Sequence, residues 1–432
     1  MNDHFDYIII GGGISGLHLG ALLSQHGKVL ILEKSKEIGG RARVINLDGF
    51  KLDYGPHPVR FGPKSALSAS LEQIGNPIKF IKPGKSWVFL SEGEKTLFPT
   101  GGILAILKSS LVPFFKTLKL LLRVKRTDVK EFQALYDVSL KEWFKTEGLG
   151  ESLEKYLTIS SAAMQVNPFI ERSSAGEMLH NIQRVLEKGS VFYPKGGWGA
   201  IFSKFKEKIE ENEGEILKQK KVSEIIIEES KAVGVKVENE EFRGEKIIST
   251  TPVQSLFSIL DEKYCKEEFI EKCKNLRPTA GISIDFCLSK PISDIKGLIF
   301  FDEPLAFGLI PSNLDPSLVP EGASLMSFLT ILNVEDIKDP EKIKLAHLML
   351  REKILSVFPN IEKYLLHERP LSYSMVDGVE VNIHQHQLNR PKNVIEGIEN
   401  LYLAGDSVDG EGAGGDIGHT SVRSCYKKII SS

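Results

Sequence analysis

A chain of 432 residues is long for a single hydrophobic core, so two domains, interleaved in sequence, are expected. Its 55 basic and 57 acidic residues leave a formal charge of −2, which excludes the strong positive field of a nucleic-acid binder. Hydrophobic residues make up 41% and charged residues 26%, an ordinary globular balance, and no uncharged apolar run reaches the ~20 residues that span a bilayer. Cys265, Cys273, Cys287 and Cys425 are scattered, with no CxxC pair and no zinc spacing, as in a reduced compartment. The opening Met1-Asn2-Asp3-His4 has no basic region leading into an apolar one, so no signal peptide is expected. A cytoplasmic protein is the expectation, with attachment to a membrane surface left open.

Residues 6–10 read as a short apolar strand suited to the middle of a covered parallel sheet. Gly11-Gly12-Gly13-Ile14-Ser15-Gly16 follows, and the spacing of Ile14, Leu17, Ala21 and Leu22 predicts a helix over 14–26, stopped by Gly27. Residues 28–33 form the second strand and end on Glu33. Strand, glycine turn, helix, strand and acid, in that order, are the layout of a dinucleotide-binding unit. One strand is expected at 47–52, before Asp53-Tyr54-Gly55-Pro56-His57, and short strands with glycine turns at 80–99. The pattern then turns helical from 103 to 186. A loop at 193–199 precedes a helix at 200–212, and short strands are expected at 215–217, 222–228, 232–237 and 246–249. Strand character resumes at 281–288, and a helix is expected at 341–358. The end reads as a strand at 401–406, a glycine-rich loop, and a helix from about 416. No internal repeat or low-complexity tail interrupts this order.

The glycines and their neighbours carry the chemistry. Gly11 permits the tight turn, Gly13 lets backbone approach a pyrophosphate, and Gly16 lets helix and strand pack closely. The helix start at Ile14 offers free N–H groups and a partial positive charge to that anion. Glu33 would accept hydrogen bonds from a ribose diol. Gly39-Gly40-Arg41 combines open backbone N–H groups with a guanidinium fork suited to phosphate, and leaves FAD and NAD unseparated. Gly410-Glu411-Gly412-Ala413-Gly414-Gly415 repeats the glycine spacing, but only 17 residues follow, too few for a second unit of ~30. A helix starting there would instead point its N-terminus at an electron-rich ring, with Asp406 near the ribityl or phosphate side. Each feature also has a plain reading: a tight turn, a solvated strand-end acid, a basic turn, a surface loop.

Taken together, Gly11/Gly13/Gly16, Glu33, Gly39-Gly40-Arg41, Gly196-Gly197 and Leu403-Ala404-Gly405-Asp406 resemble the FAD-dependent amine oxidase and phytoene desaturase superfamily, protoporphyrinogen oxidases included. The resemblance covers essentially the whole chain. It implies an α/β fold in which a Rossmann-type domain binds FAD non-covalently and is assembled from discontinuous segments, 1–79, 190–282 and 386–432. An α+β substrate domain, a mixed sheet plus a helical lid, takes 80–189 and 283–385. The implied FAD contacts are Gly11, Gly13, Ile14, Ser15, Gly16, Glu33, Lys34, Gly40, Arg41, Val222, Gly405, Asp406, Gly415 and Asp416. Among these, Val222 resembles the strand residue whose backbone meets the adenine. The chain departs from carotenoid desaturases at Asp406-Ser407-Val408-Asp409-Gly410-Glu411, where they generally carry a threonine- and proline-containing stretch. Cys425 does not stand where covalent flavin attachment would be expected.

The catalytic expectation rests on His57, which lies where the resembling family's chain passes the flavin; a hydrogen-bonded structural histidine is its alternative. His384-Gln385-His386 would put two imidazoles on one strand face, but nothing completes a ligand set, so no metal is expected. From Ile103 to Arg126 there is no acidic residue. At ~100° per residue, Lys108, Lys116, Lys119, Arg123 and Arg126 share a stripe away from Leu107, Leu111, Phe114 and Leu118, with a kink at Pro113. Such a helix would rest on an anionic membrane or serve as a solvated lid. The expected function is an FAD oxidoreductase that removes hydride from a small apolar, isoprenoid-like substrate. A quinone or oxygen would act as acceptor, and no nucleic acid is involved. An amine or porphyrinogen oxidase, a non-enzymatic FAD-binding redox partner and a flavin mutase are the alternatives, the last without a sugar-nucleotide signature.

Overall fold

The computed structural model describes residues 4–99 and 102–432. The expected reading of Met1-Asn2-Asp3, and residues 100–101 of the expected substrate segment, lie outside them.

Two seven-stranded sheets organise the molecule. The first runs in the order Glu215–Leu217, Val29–Leu32, His4–Ile10, Glu240–Ser249, Lys231–Val237, Val222–Glu228, and Leu401–Leu403 also pairs Glu240–Ser249. The long strand serves two partners with its two halves. Residues 240–243 run antiparallel to Lys231–Val237, while 247–249 run parallel to Leu401–Leu403. Its neighbour on the other side is the opening strand, in parallel register from His4 opposite Arg243 to Ile10 opposite Ser249. Period-2 alternation divides the apolar strand residues between two cores. Ile8, Ile10, Leu30, Leu32 and Ile247 pack on one face with the antiparallel strands and Leu256, Cys273 and Leu276. Ile9, Val29, Ile31 and Ile248 pack on the other, under the helices Ile14–Leu23, Gly197–Glu211 and Gly415–Ile430. A sheet covered on both faces needs near-continuous apolar strands, which is what Tyr7-Ile8-Ile9-Ile10 and Val29–Leu32 supply.

The second sheet runs Leu365–Tyr373, Ala280–Leu288, Ser324–Leu332, Leu305–Leu309, Ile299–Asp302, Trp87–Phe89, Lys95–Leu97. It is antiparallel except where Ile299–Asp302 meets Trp87–Phe89. One face, with Ile282, Ile284, Phe286 and Phe328, packs under the helix Pro340–Val357. The other, with Phe300, Phe307, Leu309, Leu329 and Ile331, packs against the helices between Ile103 and Lys188. The expected α/β architecture is therefore present.

Several local expectations need correction. Residues 47–52 are not one strand but a hairpin, Ile45–Leu47 with Phe50–Leu52, because Asp48-Gly49 turns left-handed and Gly49 N donates to Asn46 Oδ1 at 3.0 Å. The first helix stops at Leu23, before Gly27, where Ser24 Oγ turns back to Ala21 O. Val191–Pro194 is a strand rather than loop, and the helix expected at 200–212 begins at Gly197, after left-handed Gly196. Pro113 does not kink a helix: it caps Phe114–Arg126, and Ile103–Leu107 is separate. His384 and His386 sit in a turn, not on one strand face. His386 Nε2 bonds Asp137 Oδ1 and Asn389 Nδ2, both at 3.0 Å.

Candidate cofactor site

The opening turn is built by close approach. Gly11 has φ +105° and follows directly on the central strand. A Cβ on Gly16 would stand 1.9 Å from Gly11 O, so only glycine lets the helix start this near the strand end. Thr250 locks the turn from the neighbouring strand, its Oγ1 donating to Ile10 O at 3.0 Å or Gly11 O at 3.1 Å. Gly39 N donates to Gly12 O at 2.8 Å, which lays Gly39-Gly40-Arg41 along the turn, and Gly40 Cα is 3.9 Å from where a Cβ on Gly13 would be. The N–H groups of the first helical turn, at Ile14, Ser15 and Gly16, have no intrahelical acceptor.

Glu33 is not a solvated strand-end acid. It is 6% exposed, and its two carboxylate oxygens accept from Gly12 N and Ser35 N, each at 2.7 Å. It therefore holds the glycine turn to the end of the second strand while keeping free lone pairs on both oxygens. Lys34 is exposed beside it. Lys220 N donates to Glu33 O at 2.9 Å, so buried Val222 begins its strand at this same end of the groove.

The chain's last segment closes against its first. Gly405 follows the strand Leu401–Leu403, and a Cβ on it would lie 3.8 Å from Ser15 Oγ; one on Gly418 would lie 3.4 Å from the same atom. Deeper in, the imidazoles of His18 and His419 meet at 3.2 Å between the two helices. Burial pushes the His419 ring down to about 4, and burial with the facing ring lowers His18 as well.

Arg41 reaches across this groove. Its guanidinium donates to Asp406 Oδ1 at 2.5 Å and to Val376 O at 3.1 Å, and Gly378 N donates to Asp406 Oδ2 at 2.7 Å. Burial works to raise the Asp406 carboxyl, but Arg41 and Gly378 N–H outweigh it and hold it below its usual value. Asp416, in the first turn of the C-terminal helix, is pushed up to about 6 by burial, against the pull of Arg60, Arg184 and Lys188. Gly415 beside it meets no side chain within 4 Å. Gly11, Gly13, Ile14, Ser15, Gly16, Gly40, Arg41, Gly405 and Asp406 thus converge, Gly415 and Asp416 continue the wall, and Glu33, Lys34 and Val222 stand at the other end.

His57 is half-buried beneath this wall. Its Nδ1 lies 2.8 Å from Gly55 O, and its carbonyl accepts from Trp198 Nε1 at 2.7 Å. Burial, aided by the Arg41 charge and opposed by the Gly55 bond, lowers its pKa, so the ring is neutral near pH 7.

Sequence reasoning missed three residues. Thr250 was visible only as the residue after a strand. Asp377-Gly378 has the look of an ordinary turn, and Arg60 belongs to no motif. Yet Asp377 Oδ2 and Arg60 Nη1 are buried without a hydrogen-bond partner, and a Cβ on Gly414 would lie 3.6 Å from the first residue's carboxylate and 3.9 Å from the second's guanidinium. An orphaned carboxylate oxygen facing bare backbone at a helix N-terminus, with the Arg60 guanidinium beside it and a glycine cradle of open N–H groups at the other end, fits a ligand that is anionic at its middle and offers a polar ring edge at its far end. A flavin dinucleotide has that character.

Comparison with known proteins agrees. A family model described as flavin containing amine oxidoreductase matches residues 14–420. An uncharacterized protein of Methanocaldococcus jannaschii is 26% identical, over 94% of each chain. Prolycopene isomerase 1 of an Oncidium hybrid cultivar is 26% identical over 77% of this chain and 65% of its own length. A phytoene desaturase of Cercospora nicotianae is 25% identical over 73% and 59%. The chain thus spans about two thirds or less of these last two relatives. Among solved structures, an oxidoreductase from Methanosarcina mazei superposes with a TM-score of 0.81 at 22% identity, covering 98% of this chain and 99% of that one. Cyclohexylamine oxidase from Brevibacterium oxydans superposes with a TM-score of 0.72 at 16% identity, covering 99% of each. With its glycine turn, its closing helix and a family match over nearly its whole length, the chain belongs to the flavin-containing amine oxidoreductases and is an FAD-dependent oxidoreductase.

Proposed function

We propose that the protein is a phytoene desaturase-like dehydrogenase, which takes hydride from a small, mostly apolar, isoprenoid-like substrate and leaves a C=C bond. FAD, when bound, supplies the two-electron acceptor, and a quinone or oxygen reoxidises it. The observation that carries the substrate class is the apolar contact at the start of the C-terminal helix. Val166 Cγ2 lies 3.5 Å from where a Cβ on Gly414 would be, and Val166 is at the edge of the buried cluster of Phe98, Phe300, Phe307, Leu309 and Leu329. Hydrocarbon covered by such side chains gains ~25 cal/mol per Å², and a C–H bond held in place with water excluded is what dehydrogenation needs.

In this reading Gly11, Gly13, Ile14, Ser15 and Gly16 hold the pyrophosphate through backbone N–H groups, with Gly40 and Arg41 on its other side. Glu33, Lys34 and Val222 take the adenosine end, Gly405 and Asp406 the ribityl chain, and Gly415 and Asp416 the pyrimidine edge. Neutral His57 orients the wall. The cofactor domain comprises 1–79, 190–282 and 386–432, and the substrate domain 80–189 and 283–385. The two sheets support this division, with 280–282 already part of the second sheet.

The same reading makes the protein cytoplasmic and attached to a membrane at its surface. Among the described residues no helix is long and apolar enough to cross a membrane. The helices Ile103–Leu107 and Phe114–Arg126 nevertheless expose Ile103, Leu104, Leu107, Leu122 and Phe115, the last at 83%. Around them stand Lys108, Lys116, Lys119, Arg123, Lys125 and Arg126, with no acidic residue between 95 and 127. Apolar side chains ringed by cations suit an anionic lipid surface, where an apolar substrate is dissolved.

The test is anaerobic bleaching of the bound flavin's visible absorption by isoprenoids, amines and porphyrinogens. Bleaching by an isoprenoid, with a new C=C bond in the product, supports the reading. Bleaching only by an amine or a porphyrinogen, with peroxide released on re-aeration, replaces it with an oxidase. Bleaching by none of them favours an FAD-binding redox partner.

A further inference from the structure

Asp377 is held at the seam between the two sheets, and its Oδ2 has no hydrogen-bond partner. Its backbone is pinned on both sides: Asp377 N donates to Thr279 Oγ1 at 2.9 Å and Thr279 N donates to Asp377 O at 3.1 Å. The residues before and after it, Val376 and Gly378, are tied to Arg41 and Asp406. The side chain is 8% exposed, and its Oδ2 meets no donor. The charged groups that face it are Arg60, Arg41 and Asp406. Arg60 comes from the strand Val59–Arg60; one of its Nη atoms is spent on Met164 O and the other is buried without a partner. Burial is the largest influence on Asp377 and raises its pKa to about 7; Asp406 adds to this, while Arg41 and Arg60 oppose it.

Leaving a buried carboxyl oxygen unpaired costs about 1–3 kcal/mol, more than a purely structural residue would be expected to forfeit. The carboxyl and an apolar side chain meet at Gly414, just ahead of the first turn of the C-terminal helix: a Cβ there would lie 3.6 Å from Asp377 Oδ2 and 3.5 Å from Val166 Cγ2, which belongs to the apolar cluster that Val376 packs against. A ring lying at that helix start would have the carboxyl and the apolar side chain as neighbours.

We propose that Asp377 is the catalytic base, accepting on Oδ2 the proton that a substrate carbon loses. This rests on the dehydrogenase reading above. Two neighbouring C–H bonds break and one C=C π bond forms. One hydrogen leaves with its bonding pair to the oxidant FAD, and the other leaves as a proton, its bonding pair becoming the π bond while Asp377 gains an O–H bond. Arg60 positions the carboxylate before the proton arrives. Run backwards, the same carboxylic acid protonates a double bond.

The experiment uses the FAD-loaded protein and its Asp377→Asn and Asp377→Glu variants. Without substrate, the visible spectrum of wild-type bound FAD shifts as pH passes through neutrality, with one contribution from Asp377 and one from Asp416, both carboxyls raised by burial. The Asp377 contribution is lost in Asp377→Asn at equal flavin content, which leaves a smaller shift, and returns in Asp377→Glu. With an isoprenoid, wild-type bleaching speeds up as pH rises through the Asp377 titration, because the carboxylate is the active form. The Asn variant is slower by about 10²- to 10⁴-fold and loses this pH dependence. A wild-type spectrum flat from pH 5 to 9, or one that titrates identically in the Asn variant, overturns the inference. So does an Asn variant that bleaches at the wild-type rate. If only amines bleach the flavin, the dehydrogenase reading fails and the base assignment fails with it; a spectral contribution that is still lost in Asp377→Asn then shows only that the carboxyl adjoins the ring.

Discussion

Gly16→Ala tests the glycine turn at its tightest point. The new methyl would stand 1.9 Å from Gly11 O and 3.0 Å from Thr250 Oγ1. That oxygen cannot give way cheaply, because Gly11 N is bonded to Leu32 O at 2.9 Å and Thr250 Oγ1 holds Gly11 O at 3.1 Å. The helix start must therefore retreat by roughly 1–2 Å to reach an ordinary van der Waals separation. Overpacking of this kind costs about 1–3 kcal/mol. If the whole chain unfolds as a unit, an unfolding entropy of ~2.1 cal/mol/K per residue turns that cost into a loss of only about 1–4 °C in the melting temperature of the apo-protein. Cofactor affinity suffers more. The retreat carries the N–H groups of Ile14 and Ser15 away from the proposed phosphate position, and each charge-assisted bond they would make there contributes about 1.5–3 kcal/mol. Losing one weakens FAD binding by roughly 10- to 150-fold. Titrating apo-protein with FAD and following the quenching of flavin fluorescence measures this directly, with a thermal scan as companion. Gly199→Ala is the control: its methyl meets nothing within 4 Å inside the helix Gly197–Glu211, so it leaves affinity unchanged and stabilises by up to about 1 kcal/mol. A Gly16→Ala protein that binds FAD within about twofold of wild type would refute the close-packing argument.

Other consequences are open to measurement. Arg390, 1% exposed, donates to Glu177 Oε1 at 2.9 Å and to Gly410 O at 2.9 Å, so Arg390→Met strands a buried carboxylate and loosens the closing loop. It should cost about 3–5 kcal/mol in urea unfolding, and an unchanged midpoint would contradict the pairing. His18 and His419 are neutral in the fold with pKa values depressed below the unfolded value of 6.5, so their contribution is complete above pH 6.5 and is lost as pH falls toward 4. Apo-protein stability should fall across that window by up to about 3 kcal/mol for His419, and His419→Gln should flatten the fall. Vesicles containing phosphatidylserine should sediment with the wild-type protein at low salt, and Lys116→Glu/Lys119→Glu should weaken that binding at least about 30-fold, at ~1 kcal/mol per basic residue. Equal binding to neutral vesicles would argue against the electrostatic part of the contact.

The elements whose cause is local were legible in the sequence. Tyr7-Ile8-Ile9-Ile10, the glycines after it and Val29–Leu32 announce a covered strand, a tight glycine turn and a second strand, because apolar period and glycine content are properties of neighbouring residues. Glu33 was recognised, but its two backbone bonds were not, since they depend on the turn folding back across it. The hairpin at Asp48-Gly49 was missed because Leu47, Phe50 and Leu52 read as one short strand unless the turn dipeptide between them is weighed. What no local pattern reports is pairing across the fold. Arg41 meets Asp406 only because two sheet connections bring them together, His386 finds Asp137 across the lid, and Asp377 becomes unusual only when Arg60 and Gly414 arrive beside it. Roles for these residues follow from burial and missing partners, which are properties of the folded chain.

The late arrival of the strand Leu401–Leu403 and the helix Gly415–Ile430 has a consequence for biosynthesis. Half of the coenzyme's berth leaves the ribosome early, yet its other wall is translated only after the entire second sheet. Nascent or truncated chains ending before that point retain an unfinished berth with one wall open to solvent. Capture of the yellow coenzyme therefore awaits the residues from 401 onward, and chains lacking them bind it only through the first wall.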